Sequence, residues 1–277
     1  MLSSLFCILT LATSLVAGSL DGELSSLNIR SSPLHRRAAA QVVTKCTKDK
    51  TAALTFDDGP FVYLYDISKT LLAAGAKGTF FFNGNNFGAA PCIYNEDNAK
   101  RVKYALDKGH QIASHTWSHA HLTNLTADQV HNQMWLVEEA LIKIAGVMPA
   151  YMRPPYGEYN NIVREVSGVR GQTIANWDFD SGDTWGITMD AQKKRYTDAI
   201  AEALKKSPKT ILTLNHEVHQ QTAQVLLPFA IKALQDAGFK LVTLAECLGK
   251  TPYQWTQAPG TRDATWTCAG KPGPGQP

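Results

Sequence analysis

The chain contains no apolar run approaching the roughly 20 residues that span a bilayer, and it has almost no excess of either charge. Lys plus Arg number 27 against 24 Asp plus Glu, a net charge of +3 over 277 residues. With no basic run longer than Lys193-Lys194-Arg195, nucleic acid is not expected as a partner, and no membrane anchor is expected either. There is no Cys-x-x-Cys pair, which argues against a zinc–thiolate site. A Gly-x-Ser-x-Gly elbow and a glycine-rich phosphate loop are also missing. No internal repeat or Gly/Ser linker divides the chain. What is present is a globular composition, 44% hydrophobic and 18% charged, sufficient for one domain with a sizeable core.

Residues 1–18 read as a secretory signal peptide, with an apolar stretch over 5–17 closed by the small residues Ala17-Gly18-Ser19. The polar, Ser-rich segment 19–37 ends on Arg36-Arg37, the form of a propeptide with a dibasic processing site. The mature domain is expected over 38–268, destined for the extracellular space or cell wall. Once Cys7 leaves with the signal, Cys46, Cys92, Cys247 and Cys268 remain. An even number in a secreted chain implies disulfides, with three connectivities available. Cys46 precedes the first expected strand and Cys247 follows the last, so a Cys46–Cys247 bond stapling the two ends is preferred. Cys92 either pairs with Cys268 or stays a buried thiol. Asn124-Leu125-Thr126 is the sole N-glycosylation sequon. The Gly/Pro-rich tail, 269–277, is expected to be disordered.

Seven β-branched or aromatic runs alternate with amphipathic segments. Strands are expected over 53–58, 78–84, 110–116, 151–155, 172–179, 210–216 and 240–244, and helices over 66–74, 98–108, 126–145, 158–167, 190–206 and 222–237. Strands joined by crossover helices imply an α/β fold with a parallel sheet buried on both faces. Seven of them suggest a distorted (β/α) barrel with about seven parallel strands. In such barrels, chemistry gathers at the C-terminal strand ends.

Polar clusters recur at those ends. Thr55-Phe56-Asp57-Asp58-Gly59-Pro60 closes the first strand. Its adjacent carboxylates repel one another unless a cation or separate partners intervene; alone, the motif reads as an Asp-rich surface turn. Ser114-His115-Thr116-Trp117-Ser118-His119 closes the third strand with two histidines at i and i+4. Two such imidazoles plus a carboxylate from another strand end form a three-ligand set with an open position, the usual arrangement of hydrolytic zinc.

With these motifs the chain resembles the polysaccharide deacetylases of the NodB-homology family (carbohydrate esterase family four), most of all the secreted fungal chitin deacetylases. The resemblance covers roughly residues 50–248. It implies that Asp57 is the general base and that Asp58, His115 and His119 are metal ligands. Arg153-Pro154-Pro155-Tyr156-Gly157 matches a third motif, in which Arg153 pairs with Asp57 and keeps it ionised while the Tyr156 backbone N–H faces the oxyanion. Asp180-Ser181-Gly182-Asp183-Thr184-Trp185 matches a fourth, in which Asp183 orients the acid and Trp185 supplies a wall. The family usually places Trp directly after that second Asp; here Thr184 intervenes. Leu212-Thr213-Leu214-Asn215-His216 matches the fifth, with His216 as general acid and Leu214 lining the acetyl-methyl pocket. The implied cofactor is Zn2+, with Co2+ as an alternative. The implied substrate is chitin or N-acetylglucosamine oligomers, yielding chitosan and acetate from a monomeric enzyme.

The alternatives are an acetylxylan esterase or another polysaccharide O- or N-deacetylase, and a carbohydrate-binding protein on a degenerate scaffold. The last requires a missing base, acid or ligand, and all are present. His110, His121, His131 and His219 fit no motif and are expected to be surface or satisfied histidines. Trp135 lies at helical spacing among Met134, Val137, Leu141 and Ile144 and is expected in the core. Tyr253, Trp255 and Trp266 are expected to be packing or surface aromatics rather than a sugar platform.

Overall fold

A computed structural model describes residues 38–86 and 91–277; the signal peptide and propeptide read over 1–37 lie outside the described residues. In chain order the strands are β1 (Val42–Val43), β2 (Thr51–Ala53), β3 (Thr55–Gly59), β4 (Thr79–Phe82), β5 (Gln111–Ser114), β6 (Val147–Pro149), β7 (Tyr151–Met152), β8 (Thr173–Ala175), β9 (Phe179–Asp180), β10 (Thr210–His216), β11 (Lys240–Val242) and β12 (Tyr253–Thr256). The helices are α1 (Leu64–Ala73), α2 (Glu96–Asp107), α3 (Ala127–Ala145), α4 (Asn161–Val169), α5 (Met189–Leu204), α6 (Leu227–Asp236) and α7 (Leu244–Leu248).

All seven expected strand segments carry strand, and every pairing among them is parallel. The order is β1-β8-β7-β5-β4-β3-β10-β2-β11, with β9 also on β10. Only Leu54 separates β2 from β3, and β8 and β9 lie within 173–180, so each couple is one interrupted strand. Counted that way, ladders lead from β3 through β4, β5, β7 and 173–180 to β10 and back to β3. This is the α/β architecture that the alternating pattern implies.

Side-chain parity explains how the strands are covered. Successive residues face opposite sides of a strand, and alternate positions fall into separate apolar clusters. Leu54, Phe56, Phe80, Phe82 and Ile112 pack with Ile67, Leu71, Val137 and Leu141 of the helices. Ala53, Phe81, Ala113, Ala175 and Leu212 form the inner cluster with Leu244. The small inner residues leave room for the polar groups above them. Helix ends follow local rules: Thr126 and Gln129 form a reciprocal capping box on α3, and Gly146 caps its far end at φ 70°. A β-carbon at Gly146 would come within 2.1 Å of the Gln257 carbonyl oxygen, so glycine is required there by both conformation and space.

Three features depart from expectation. The antiparallel pair β6–β12 and the short edge strand β1 have no strong sequence pattern. Trp135 is 41% exposed; it sits beside the buried stripe of Met134, Val137, Glu138 and Leu141, with the Arg170 guanidinium 5.3 Å over its ring. The tail expected to be disordered is instead seated on the domain, its Pro272 and Gln276 carbonyls accepting hydrogen bonds from Trp117 Nε1 (2.9 Å) and Gln133 Nε2 (2.8 Å). No helix among the described residues is long and apolar enough to cross a membrane.

Cys46 is bonded to Cys247 with Cα atoms 5.1 Å apart, and Cys92 to Cys268 with Cα atoms 6.6 Å apart. The first bond closes a 201-residue separation, for which chain entropy gives about 5 kcal/mol as an upper expectation. Replacing Cys46 and Cys247 together by serine is therefore expected to lower the unfolding free energy by several kcal/mol in denaturant titration. A loss under about 1 kcal/mol contradicts the stapling role.

Candidate active site

The C-terminal ends of β3, β5, β7 and β10 converge. β10 pairs with β3 so that His216 lies opposite Asp57, and β5 pairs with β7 at Ser114 and Met152, each one residue short of a candidate site residue, His115 and Arg153. Asp57 is the last regular strand residue and points inward, 2% exposed. Strict alternation would send Asp58 to the other face. Asp58 instead adopts φ 72°, and the β3–β4 register shifts between Phe56 and Gly59. Aspartate tolerates the left-handed region better than most residues. The kink brings both carboxylates to one cleft of about 390 Å³, lined also by His115, His119, Pro154, Tyr156, Gly157, Trp177, Asp180, Thr184, Leu214 and His216.

Five non-glycine residues among those described have positive φ: Lys50, Asp58, Thr116, His119 and Tyr156. Four of the five belong to this site or the loop carrying it. Strained backbone persists where surrounding contacts over-determine it, as at functional sites.

Asp58, His115 and His119 offer one ligand atom each, all within 4.8 Å of one another. Asp58 Oδ1 lies 3.6 Å from His115 Nε2 and 3.4 Å from His119 Nε2. The His115 Nδ1 hydrogen donates to the Arg153 carbonyl at 2.7 Å, which leaves Nε2 as a lone-pair donor aimed at the cluster. Burial pushes the His115 pKa down to about 3, so the imidazole stays neutral, as a ligand must. Asn86 Nδ2 donates to Asp58 Oδ1 at 3.1 Å. This donor set, supported from outside, fits a divalent cation with an open position.

Asp57 faces a different partner. Arg153, fully buried, donates through Nη1 to Asp57 Oδ1 and to Thr55 Oγ1, both at 2.8 Å. Nε reaches the Ala175 carbonyl at 2.8 Å and Nη2 the Asn176 carbonyl at 3.1 Å. The guanidinium also stacks 4.2 Å from the Phe81 ring centroid. Burial raises the Asp57 carboxyl above its usual range, against the pull of Arg153. A carboxylate of raised pKa is a better proton acceptor near neutral pH.

A family model for polysaccharide deacetylase matches residues 44–174. A chitin deacetylase of Pestalotiopsis sp is 36% identical over 239 residues, covering 83% of this chain and 75% of that protein. The chain belongs to the polysaccharide deacetylase family. A chitin deacetylase of Colletotrichum lindemuthianum is 32% identical over 255 residues, covering 89% of this chain and 96% of that protein. A solved structure of the chitin deacetylase from that fungus superposes with a TM-score of 0.73 at 29% identity, covering 79% of this chain and 96% of that one.

On the opposite wall of the deacetylase cleft, His216 Nδ1 lies 2.8 Å from Asp183 Oδ1. Asp183 Oδ2 accepts from the His216 backbone N–H at 2.8 Å and from Thr222 Oγ1 at 2.9 Å. Burial works against the imidazolium, but the hydrogen bond and charge of Asp183, with Asp57 and Asp58 beyond, outweigh it and raise His216 to about 9. His216 therefore stands protonated at neutral pH, with Nε2 left to donate.

The fourth-motif wall is built differently from expectation. Trp185 is 54% exposed, with the Arg195 guanidinium 4.2 Å from its ring centroid, and it is not part of the cleft lining. Thr184 lines the cleft instead. Trp177, which sequence reading did not single out, lines the cleft along with Tyr156 and also lies 5.4 Å from the Arg153 guanidinium; its place at the end of a strand run was the available signal. Asp180, present in the quoted motif without an assigned role, lines the same wall.

Glu217 was also missed. It is fully buried, and its Oε1 accepts from the Phe61 backbone N–H at 2.5 Å. A β-carbon on Gly59 would meet its carboxyl at 2.1 Å, so it braces the turn that carries the two aspartates. Of the remaining histidines, His110 is satisfied: Ser68 Oγ lies 2.8 Å from Nε2, and Gly78 N–H donates to Nδ1 at 3.1 Å. His121 stacks on Tyr156 at 3.9 Å and lies 3.1 Å from Glu158.

The His216–Asp183 pair has a testable consequence. The general-acid role expected for His216 requires it to be protonated, so under that role turnover falls as pH rises through the His216 pKa. Asp183→Asn removes the stabilising anion and is expected to move that alkaline limb downward by about 1–3 pH units. An unchanged alkaline limb in the pH profile of kcat contradicts the assignment.

Proposed function

We propose that this deacetylase removes N-acetyl groups from N-acetylglucosamine residues of chitin, releasing acetate and leaving free amines. The observation that carries the reading is the opposition, across one cleft, of a buried carboxylate held by Arg153 and a protonated histidine held by Asp183. Between them stands the Asp58–His115–His119 cluster. Similarity to two fungal chitin deacetylases over most of their length supports the substrate.

Asp58, His115 and His119 would hold a divalent cation, zinc or cobalt in our reading. Such an ion, when bound, supplies Lewis acidity and lowers the pKa of water toward about 7. Asp57 takes a proton from the attacking water as its oxygen bonds to the amide carbonyl carbon. The Tyr156 backbone N–H is assigned to the oxyanion that develops. Leu214, 6% exposed at the cleft wall, would receive the acetyl methyl. His216 Nε2 gives its proton to the sugar nitrogen as the C–N bond breaks, so the amine leaves neutral and acetate remains. Arg153 and Asp183 touch no substrate; they position the base and the acid. In this reading the leader over 1–37 directs the chain out of the cell as a monomer, and Asn124, exposed beside the Thr126 cap, carries a glycan.

The experiment is acetate release from N-acetylglucosamine oligomers of defined length and from acetylated xylan, before and after exhaustive chelation. Release from the oligomers that disappears on chelation and returns with zinc or cobalt is expected. Preference for xylan, or full activity in metal-free protein, contradicts the proposal.

A further inference from the structure

Residues 268–276 lie against the loop that separates the two proposed histidine ligands. The Pro272 carbonyl accepts from Trp117 Nε1 at 2.9 Å and from Asn85 Nδ2 at 3.2 Å. Gly275 N–H donates to the Ser118 carbonyl at 2.6 Å. The Gln276 carbonyl accepts from Gln133 Nε2 at 2.8 Å and lies 2.5 Å from Ser118 Oγ. That hydroxyl has a single hydrogen and a second acceptor, Gln133 Oε1, at 3.0 Å. Trp117, Ser118 and Gln133 are all fully buried, so these contacts are made in a water-poor setting where an unmet donor is costly.

The segment reaches both halves of the cluster. Trp117 and Ser118 sit between His115 and His119. Asn85 is hydrogen-bonded to Trp117 through its own backbone, N to O at 2.6 Å, and its neighbour Asn86 holds Asp58. The Cys92–Cys268 bond anchors the segment at its start, and Lys271 Nζ lies 5.6 Å over the Tyr94 ring and 6.0 Å over that of Trp117. The loop being held is also strained, with φ 66° at Thr116 and 57° at His119. Strained backbone of this kind needs outside contacts to persist.

We propose that residues 268–276 form a strap that holds the His115–His119 loop in its metal-binding arrangement. The strap acts through the loop and touches no substrate; its role rests on the metal reading given above. Outer supports of metal ligands commonly carry 10–100-fold in affinity.

The test compares the full chain with a chain ending at Gly270, which keeps Cys268, and with full-length Gln133→Glu. That substitution retains an acceptor for Ser118 while removing the amide donor to Gln276. Zinc affinity is measured by competition with a chromophoric chelator, and the visible spectrum of the cobalt form reports ligand geometry. Circular dichroism and thermal unfolding establish that each protein is folded. The shortened chain is expected to bind zinc roughly 10-fold or more weakly, with an altered cobalt spectrum, and Gln133→Glu to shift both in the same direction by less. Full-chain affinity together with an unchanged spectrum in the folded shortened protein overturns the strap. If the shortened chain does not fold, Gln133→Glu decides on the same two readouts. A full chain that binds no zinc at Asp58, shown by an unaltered titration in Asp58→Asn, overturns the metal reading and the strap with it; failure of the strap alone appears only in the variants.

Discussion

One buried cation organises the centre. The Arg153 guanidinium holds Asp57, Thr55 and the carbonyls of Ala175 and Asn176, while the Arg153 carbonyl accepts from the His115 imidazole. A single residue thus fixes the carboxylate proposed as base, orients an imidazole of the proposed metal cluster and ties β3 to the 173–180 segment. Its environment makes this position hard to replace. Removing one member of a buried ion pair leaves the other charge uncompensated, at a cost of about 3–5 kcal/mol. The inner cluster beneath it, with Phe81 as platform and alanines on the neighbouring strands, provides the space that the guanidinium fills.

The two walls of the cleft treat protons oppositely. On one side burial raises a carboxyl that is balanced by a cation; on the other an anion holds an imidazolium up to about 9. Separating the pKa values of facing groups is how a site obtains a base and an acid at the same pH. In the proposed mechanism a cation held by the intervening cluster would meet the third requirement, stabilising charge on the carbonyl oxygen. The left-handed turn at Asp58 makes this arrangement compatible with adjacent residues in the chain.

The scaffold was largely legible because parallel strands buried on both faces read as continuous apolar runs, and 210–216 emerges as β10 with the bounds expected. The paired carboxylates and the two histidines were legible because strand ends concentrate polar groups, whereas Arg153, Tyr156, Leu214 and His216 were legible only through the family resemblance; all reach the cleft or its immediate support. What could not be read depended on partners distant in sequence. Two-residue β1 and the β6–β12 pair carry too little pattern. The tail reads as disordered by composition, yet its carbonyls find donors on Trp117 and Gln133 more than 140 residues away. Trp185 was placed by analogy with a spacing that Thr184 breaks, and Glu217 looks ordinary until the turn folds over it.

The central claim is that two neighbouring aspartates do different work because backbone geometry hands one to Arg153 and the other to the metal cluster. Bound metal and acetate release, measured together for Asp57→Asn and Asp58→Asn over a range of zinc concentrations, test it most directly. Asp57→Asn is expected to keep near-normal metal occupancy and lose turnover by about 10²–10⁴-fold, beyond rescue by zinc. Asp58→Asn is expected to bind metal weakly and to regain part of its activity as zinc rises. Loss of metal in Asp57→Asn, with metal and activity retained in Asp58→Asn, would contradict the division of roles.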